Sequence, residues 1–573
     1  MNSSEERPAT ATNLSPYAGW WVAFLGQRVI GTGATRDEAY LAAKGSRPKE
    51  EPTALFYVPP DNKREGNVSW LTLFQHDRLA GAVRSEILKA GISAYLVGGA
   101  VRDHLLGREC YDLDFVVPAG ALALACHIAD QLGAAYYPLD EKRGTARIVC
   151  RREGGQRVTI DIATMVGETI ESDLKARDFT LNALAVRLSD LQLIDLCAGL
   201  DDLLARRLRL VSEHAIADDP VRALRAVRLC AEFGLHMDRS VELAILRDGE
   251  GLCRISAERI RDELFRILAL PAAAALIGQL DRLELLQWII PGLPALKGLQ
   301  QPLPHRLDAW EHSLLAITRL EQLLENILGS NDHSASQQLL EAAGVPIELR
   351  PMLRKHLEQT LSDERPRWAL LKLAALLHDV GKPACQTVDE SGRLRFIEHD
   401  QVGSQMAADI SERLRLAKVE IEYIRSVVMN HMRPMSLAQA GVVTERAGHR
   451  FYRDLGAAGV DVVLLALADA SAFTPTPHRP PMWNKLKTVA SFLLRYWLSE
   501  SNPESQPPLV SGGDLIEAFD MEPGPAIGHW LRWVREMQVA GEIHTREEAL
   551  HRVQQELQKA KPASERSGEQ NAT

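Results

Sequence analysis

Between Tyr95 and Val117 the sequence passes from strand to helix period and back, which points to mixed, layered strands and helices. Tyr95 to Val97 reads as the end of a buried strand, Gly98-Gly99 as a turn, and Val101 to Leu106 as a short helix. In Asp112-Leu-Asp-Phe-Val-Val117 the side chains alternate, so Asp112 and Asp114 leave one face while Leu113 and Phe115 enter the sheet. Alpha carbons two apart on a strand lie about 6.5 Å from each other, a span over which two carboxylates can clasp one Mg2+ or bridge two ions roughly 3.5–4 Å apart. A lone Asp-x-Asp is most often a solvated surface strand. A glycine turn whose backbone can approach a phosphate, set directly before the pair, favours in-line displacement at phosphorus instead.

A chain of 573 residues with 46% hydrophobic content has room for about four packed domains. Met1 to Pro16 is polar and lacks the pattern of a signal peptide, and no uncharged run approaches the roughly 20 residues that span a bilayer, so a cytoplasmic protein with no membrane partner is expected. Cys110, Cys126, Cys150, Cys197, Cys230, Cys253 and Cys385 are scattered without a Cys-x-x-Cys pair and read as reduced, structural thiols. With a net charge of −10, any nucleic acid must meet a local positive surface. Arg206, Arg207 and Arg209, then Arg222, Arg225 and Arg228, then Arg254, Arg259, Arg261 and Arg266 supply candidates. Salt-bridged helix faces are the competing reading.

The pattern divides the chain. Residues 1–66 hold a small α/β module of no assigned role: Trp20 to Ile30 alternates like a strand, Thr35 to Lys44 reads as a helix and Ala54 to Val58 as a strand. Residues 71–215 mix strands and helices, and from Asp219 onward the pattern is almost wholly helical. Proline and polar clusters near 291–305 and 474–508 mark joints between spans 216–300, 305–500 and 508–560, and the tail 561–573 reads as disordered.

Gly98, Gly99, Arg102, Asp103, Gly107, Asp112 and Asp114 together resemble the head signature of class II tRNA nucleotidyltransferases and bacterial poly(A) polymerases, in the polymerase-beta-like superfamily. The resemblance implies an α+β fold: a polymerase-beta-like nucleotidyltransferase head, an all-α neck and body, an HD domain and a C-terminal helical domain. It implies that Asp112 and Asp114 bind catalytic Mg2+, and that the Gly98-Gly99 turn, with Arg102, holds the incoming triphosphate. A third carboxylate is then expected. Asp161, in the alternating run Val158 to Ala163, qualifies if its strand neighbours that of Asp112 and Asp114. Arg177-Asp-Phe-Thr-Leu-Asn-Ala-Leu184 resembles a further family motif, which assigns Arg177, Asp178 and Asn182 to nucleotide and sugar contacts. The chain departs from the family at Ala176, where a second arginine is usual, and at Met165, near another customary arginine.

Asp218-Asp-Pro-Val-Arg-Ala-Leu-Arg225 resembles Glu-Asp-x-x-Arg-x-x-Arg, with Asp218 in place of the Glu. By resemblance Asp219 and Arg222 serve as an amino-acid template, the carboxylate accepting from a base amine and the guanidinium donating to the base edge, with Arg225 and Arg228 on the same helix also facing the nucleotide. A local alternative is that Asp219 caps a helix whose first residue is Pro220 and pairs with Arg222 across one turn.

Arg367 to Leu377 reads as an apolar helix ending in His378-Asp379, with Gly381 and Pro383 as stop signals. This resembles the HD phosphohydrolase motif, and His312, His378, Asp379, His399, His431 and Asp469 stand in that family's ligand order. The donor set suits Mn2+, Fe, Ni2+, Mg2+ or Zn2+, so a divalent metal of open identity is expected. Asp469 follows an apolar run, where a buried carboxylate costs several kcal/mol unless paired or bound to metal. Val510 to Leu515 and Gly541 to Ala549 resemble the C-terminal end of HD-bearing members.

These readings converge on an RNA 3′-end nucleotidyltransferase that adds CCA, or part of it, to tRNA from CTP and ATP without a nucleic-acid template. The alternatives are a poly(A) polymerase, an HD phosphohydrolase (phosphatase or 2′,3′-cyclic phosphodiesterase) with a vestigial head, and an inactive RNA-binding module. The intact Asp112/Asp114 pair argues against the last two, and nothing in the sequence sets an oligomeric state.

Overall fold

The computed structural model describes residues 20–25, 28–33, 39–40, 42–44 and 54–58, and from 70 to 560 all but 153–154, 330–333, 363–364, 442, 474–481 and 499–506. The expected disordered tail lies outside the described residues, as do 474–481 and 499–506 of the expected 474–508 joint, whose middle is the helix Trp483–Leu498. The chain divides into two compact units, Met1–Gly249 and Glu250–Thr573.

In the first unit, the N-terminal module is an antiparallel sheet of β1 (Trp20–Leu25), β2 (Arg28–Gly33) and β3 (Ala54–Val58), with β1 in the middle. The alternating run through Ile30 is thus two strands of a hairpin rather than one. Helical residues 39–40 and 42–44 agree with the helix expected there.

The larger sheet has seven strands: β4 (Tyr95–Val97), β5 (Asp112–Val117), β6 (Ala135–Asp140), β7 (Thr145–Arg151), β8 (Arg157–Thr164), β9 (Leu184–Arg187) and β10 (Leu193–Asp195). Their order is β10-β9-β4-β5-β8-β7-β6, with only β5 and β8 parallel. Leu113, Phe115, Ile148, Ile160 and Ile162 are buried, and the helix Ala121–Leu132 packs on β7 and β8. The alternation that buries these residues turns Asp112, Asp114 and Asp161 to the opposite face. Between β4 and β5 runs α1 (Gly99–Leu105), and the first unit also holds α2 (Arg222–Phe233).

The second unit is mostly helical. Its relevant helices are α3 (Ala309–Leu328), α4 (Arg367–Leu377), α5 (His399–Arg413), α6 (Lys418–Asn430) and α7 (Ala458–Ser471). From Ala369 to Leu377, α4 is buried on every side, as is most of α7, which explains why these stretches are apolar apart from Lys372, Asp461 and Asp469. Charged residues buried in this interior are paired: Arg365 forks Glu420 at 2.9 Å on both arms, Arg367 donates to Asp461 at 2.9 Å, and Lys372 donates to Glu321 at 2.9 Å. The helices after 510 close over their own core of Leu515, Ile527, Val534, Met537 and Val553. Among the described residues no helix is long and apolar enough to cross a membrane, and all seven cysteines are free.

Gly381 lets the loop after α4 lie on α5: a Cβ there would stand 2.3 Å from the His399 carbonyl oxygen and 2.5 Å from the Gly403 nitrogen. Both are backbone atoms that cannot swing away. Gly381→Ala should therefore cost about 1–3 kcal/mol by overpacking. Calorimetry should show the second unit melting several degrees lower, and an unchanged melting temperature would contradict this packing.

Candidate functional site

The register of β5 and β8 sets Asp114 directly opposite Asp161, with Asp112 opposite Thr159. Three carboxylates thus share one sheet face, as expected if the two strands were neighbours. Asp112 is exposed, while Asp114 and Asp161 are half-buried. Removal from water, then the Asp161 charge, pushes the Asp114 carboxyl up to about 6, against the opposing pull of Arg177 and Arg147. Such a cluster is stabilised by added positive charge. Gly98, at φ 69°, leaves the space beside it open: a Cβ there would lie 2.9 Å from Arg177 Nη1 and 3.5 Å from Asp114 Oδ2.

The motif residues around this edge form a connected network. Arg102 is buried, donates to Asn182 Oδ1 at 2.6 Å and to Asp103 at 2.9 Å, and lies over the Phe233 ring. Asn182 donates to Asp178 at 3.0 Å, and Asp178 accepts from Arg225 at 2.8 Å. Burial alone would raise the Asp178 carboxyl, but Arg225, Asn182 and the Phe179 N–H together hold it below its usual range. Arg177 is gripped by Asp173 at 2.9 Å and Arg228 by Glu232 at 2.7 Å. Arg207 and Arg209 both hold the buried Asp202, the salt-bridged arrangement weighed against a nucleic-acid surface.

Arg222 donates to the main-chain carbonyls of Ala215 at 3.1 Å and Ala176 at 3.0 Å, and its Nε stands 3.9 Å from Asp219 Oδ2. Val221, rather than the Asp219 of the alternative reading, occupies the N-cap of α2, with no side-chain cap bond. The helix starts two residues later than the proline suggests, because Asp219 and Pro220 form a tight turn into it. Met165 packs with Val97, Val116, Ile170 and Leu174 in an apolar cluster.

In the second unit, five helices and their ends bring together all six HD-type residues. Ligand atoms of His312, His378 and Asp379 lie within 4.8 Å of one another, as do those of Asp379, His399 and His431, so Asp379 belongs to both sets. His312 Nε2 stands 2.8 Å from Asp469 Oδ1 and His378 Nε2 3.8 Å from it. The Nδ1 atoms of His378, His399 and His431 lie 2.8, 2.8 and 2.7 Å from carbonyl oxygens three residues back. A carbonyl only accepts, so each Nδ1 carries the hydrogen and each Nε2 offers a lone pair to the centre. Among the described residues, Nε2 of His378 and of His399 is buried without a hydrogen bond. Burial, then the His378 ring, pushes His431 down to about 4, which keeps it in the neutral, metal-binding form. For His378, burial acts downward, but Asp379 and Asp469 bring the net shift upward. The donor set fits a divalent cation.

Comparison with known proteins settles the ancestry. Residues 94–209 match the poly A polymerase head domain, 234–296 the probable RNA and SrmB-binding site of polymerase A, 352–473 the HD domain, and 504–553 a tRNA nucleotidyltransferase domain 2. The A-adding tRNA nucleotidyltransferase of Deinococcus radiodurans is 33% identical over 80% of this chain and 95% of its own length. The chain belongs to the tRNA nucleotidyltransferase family. The CC-adding enzyme of Thermus thermophilus is 32% identical over 80% of this chain and 92% of its own. A CCA-adding enzyme solved with ATP shares the fold at a TM-score of 0.56 and 22% identity, covering 86% of this chain and 98% of that one.

Within this tRNA nucleotidyltransferase, three side chains at the two centres went unread in the sequence. Arg147 forks Asp161 at 2.9 and 2.8 Å. Lys382 donates to Asp379 at 2.5 Å, and the His305 ring meets those of His312 and Phe473 edge-on at 4.7 and 4.5 Å. For Lys382 the spacing His378-Asp379-x-x-Lys382, a cation three residues after the carboxylate, is a local signal; Arg147 and His305 depend on pairings distant in sequence. If the HD-type residues hold a divalent ion, Mn2+ or Ni2+ at about 100 times its Kd should stabilise the fold by roughly 2.7 kcal/mol. Asp379→Ala should abolish that rise in melting temperature and EDTA should reverse it. Equal melting with and without metal in the wild type would contradict the assignment.

Proposed function

We propose that this protein adds nucleotides from CTP and ATP to the 3′ end of tRNA, building CCA or part of it. The observation that carries the reading is the cross-strand pair Asp114 and Asp161 beside Asp112, an edge of three carboxylates next to a glycine turn. Bound Mg2+ would supply charge neutralisation at the reacting phosphate and lower the barrier to attack by the RNA 3′ hydroxyl. Asp112 and Asp114 would hold it, with Asp161 completing the cluster. The new bond joins the 3′ oxygen to the alpha phosphorus as the bond to the departing pyrophosphate breaks, and the hydroxyl proton passes to solvent. The Gly98-Gly99 turn and Arg177 flank Asp114 on the side where the triphosphate would lie. Arg102, Asn182, Asp178 and Arg225 link α1 to α2, and so hold the triphosphate side and the base reader in one frame.

Asp219 and Arg222 are assigned to base choice. Arg222 is held rigidly by two carbonyls, which leaves part of its fork for a base edge. The span 216–300 would cradle the RNA, 305–500 would carry a second, HD-type metal centre suited to phosphate esters, 508–560 would close the chain's helical body, and a cytoplasmic location fits a tRNA substrate. Relatives matched over more than nine-tenths of their own length include one named A-adding and others named CC-adding. The deciding experiment therefore presents tRNA ending before, within and after CC with labelled CTP and ATP, singly and together. Unlimited addition of A would point to poly(A) synthesis instead.

Asp112→Ala or Asp114→Ala should lower incorporation by roughly 10³-fold or more, while melting stays near wild type because neither side chain supports packing. Retained incorporation would defeat the metal-edge assignment. Asp219→Ala should weaken discrimination against UTP and GTP by roughly 10–100-fold. Single-nucleotide incorporation with all four triphosphates measures this, and unchanged preference rules out the template role.

A further inference from the structure

On the face that bears the carboxylates, one row crosses four strands: Tyr137 on β6, Arg147 on β7, Asp161 on β8 and Asp114 on β5. Each is the direct register partner of the next, so all four side chains leave the same face. Arg147 Nε donates to Asp161 Oδ1 at 2.9 Å and Nη2 to Oδ2 at 2.8 Å. Each carboxylate oxygen can accept twice, so this fork orients Asp161 and still leaves a lone pair on each oxygen. Tyr137 ends the row. It is 52% exposed, on the last strand of the sheet.

The row has a direction. On the other side of Asp114 its register partner is Val97, and the chain then turns through Gly98 toward Arg177. That side is taken by the incoming triphosphate in the reading above. An acceptor whose 3′ hydroxyl sits at Asp114 and Asp161 must then extend toward β7 and β6. Strands stand about 4.8 Å apart, which places Tyr137 roughly 10 Å from Asp161 across the sheet, close to the span of one nucleoside. An exposed aromatic ring offers a base a sequence-tolerant stacking surface.

We propose that Tyr137 stacks on the last base of the acceptor RNA, and that Arg147 is the positioning residue that holds Asp161 against the terminal 3′ hydroxyl. The proposal rests on the nucleotide-transfer reading and assigns its RNA-end subsite.

Steady-state kinetics on the full chain tests it, with tRNA lacking its last nucleotides and CTP or ATP varied separately. Tyr137→Ala should raise KM for tRNA about 10-fold while KM for the triphosphates and kcat stay within about twofold, and Tyr137→Phe should behave as wild type because the ring remains. Arg147→Met should lower kcat at saturating tRNA by about 10-fold, with partial recovery in Arg147→Lys. An RNA ending in 2-aminopurine should be quenched by the wild type and by Tyr137→Phe, but not by Tyr137→Ala. Wild type that transfers no nucleotide overturns the transfer reading and this proposal with it. An active wild type, with tRNA KM and quenching unchanged in Tyr137→Ala or kcat unchanged in Arg147→Met, overturns this proposal alone.

Discussion

The arrangement of the first unit turns on one electrostatic fact: three carboxylates share a sheet face, two of them paired directly across neighbouring strands. Hydrophobic alternation makes this unavoidable, because Leu113, Phe115, Ile160 and Ile162 are buried and force Asp112, Asp114 and Asp161 the other way. The cost shows in Asp114, whose carboxyl is pushed up to about 6 by removal from water and then by Asp161. Arg147 and Arg177 oppose that shift. Neither arginine is available to cancel it fully, since Arg147 is committed to Asp161 and Arg177 to Asp173. A cation arriving with a nucleotide, as proposed, would supply what remains.

The two candidate centres solve opposite problems. The carboxylate edge is half open, which suits Mg2+, an ion that keeps several waters and is commonly held by one or two carboxylates together with substrate phosphates. The HD-type cluster is deep and imidazole-rich, with His312, His378, Asp379 and His431 nearly inaccessible. Its rings are fixed from behind by main-chain carbonyls, so the lone pairs converge before any ion arrives. On the proposed reading, one centre would take an ion that comes and goes with substrate, the other a resident one.

Much of this was legible in the chain. Asp112 and Asp114 are two residues apart on a strand, so local alternation alone places them together, and the Tyr95–Val97 strand and the helix ending at His378 follow from equally local patterns. Asp161 needed one further step: the family resemblance called for a third carboxylate, and the neighbouring of β5 and β8 on which this candidate depended is found in the register. Long-range pairing carries no local signature, which is why Arg147, His305 and the Asn182–Asp178–Arg225 chain were not foreseen as contacts. At Asp219 only the alternative reading as a helix cap is set aside. Asp-Pro is a strong cap signal, yet the turn that follows it moves the cap to Val221.

The claim on which the account depends is that Asp112 and Asp114 ligate the ion that accompanies the nucleotide. Anomalous diffraction from crystals of the full chain soaked with Mn2+ and a non-reactive CTP analogue addresses it directly. The account predicts an anomalous peak within about 2.5 Å of carboxylate oxygens of both Asp112 and Asp114, bridging to the analogue's phosphates. Ordered analogue at the glycine turn with no peak at that edge, or manganese confined to the HD-type cluster, would contradict it.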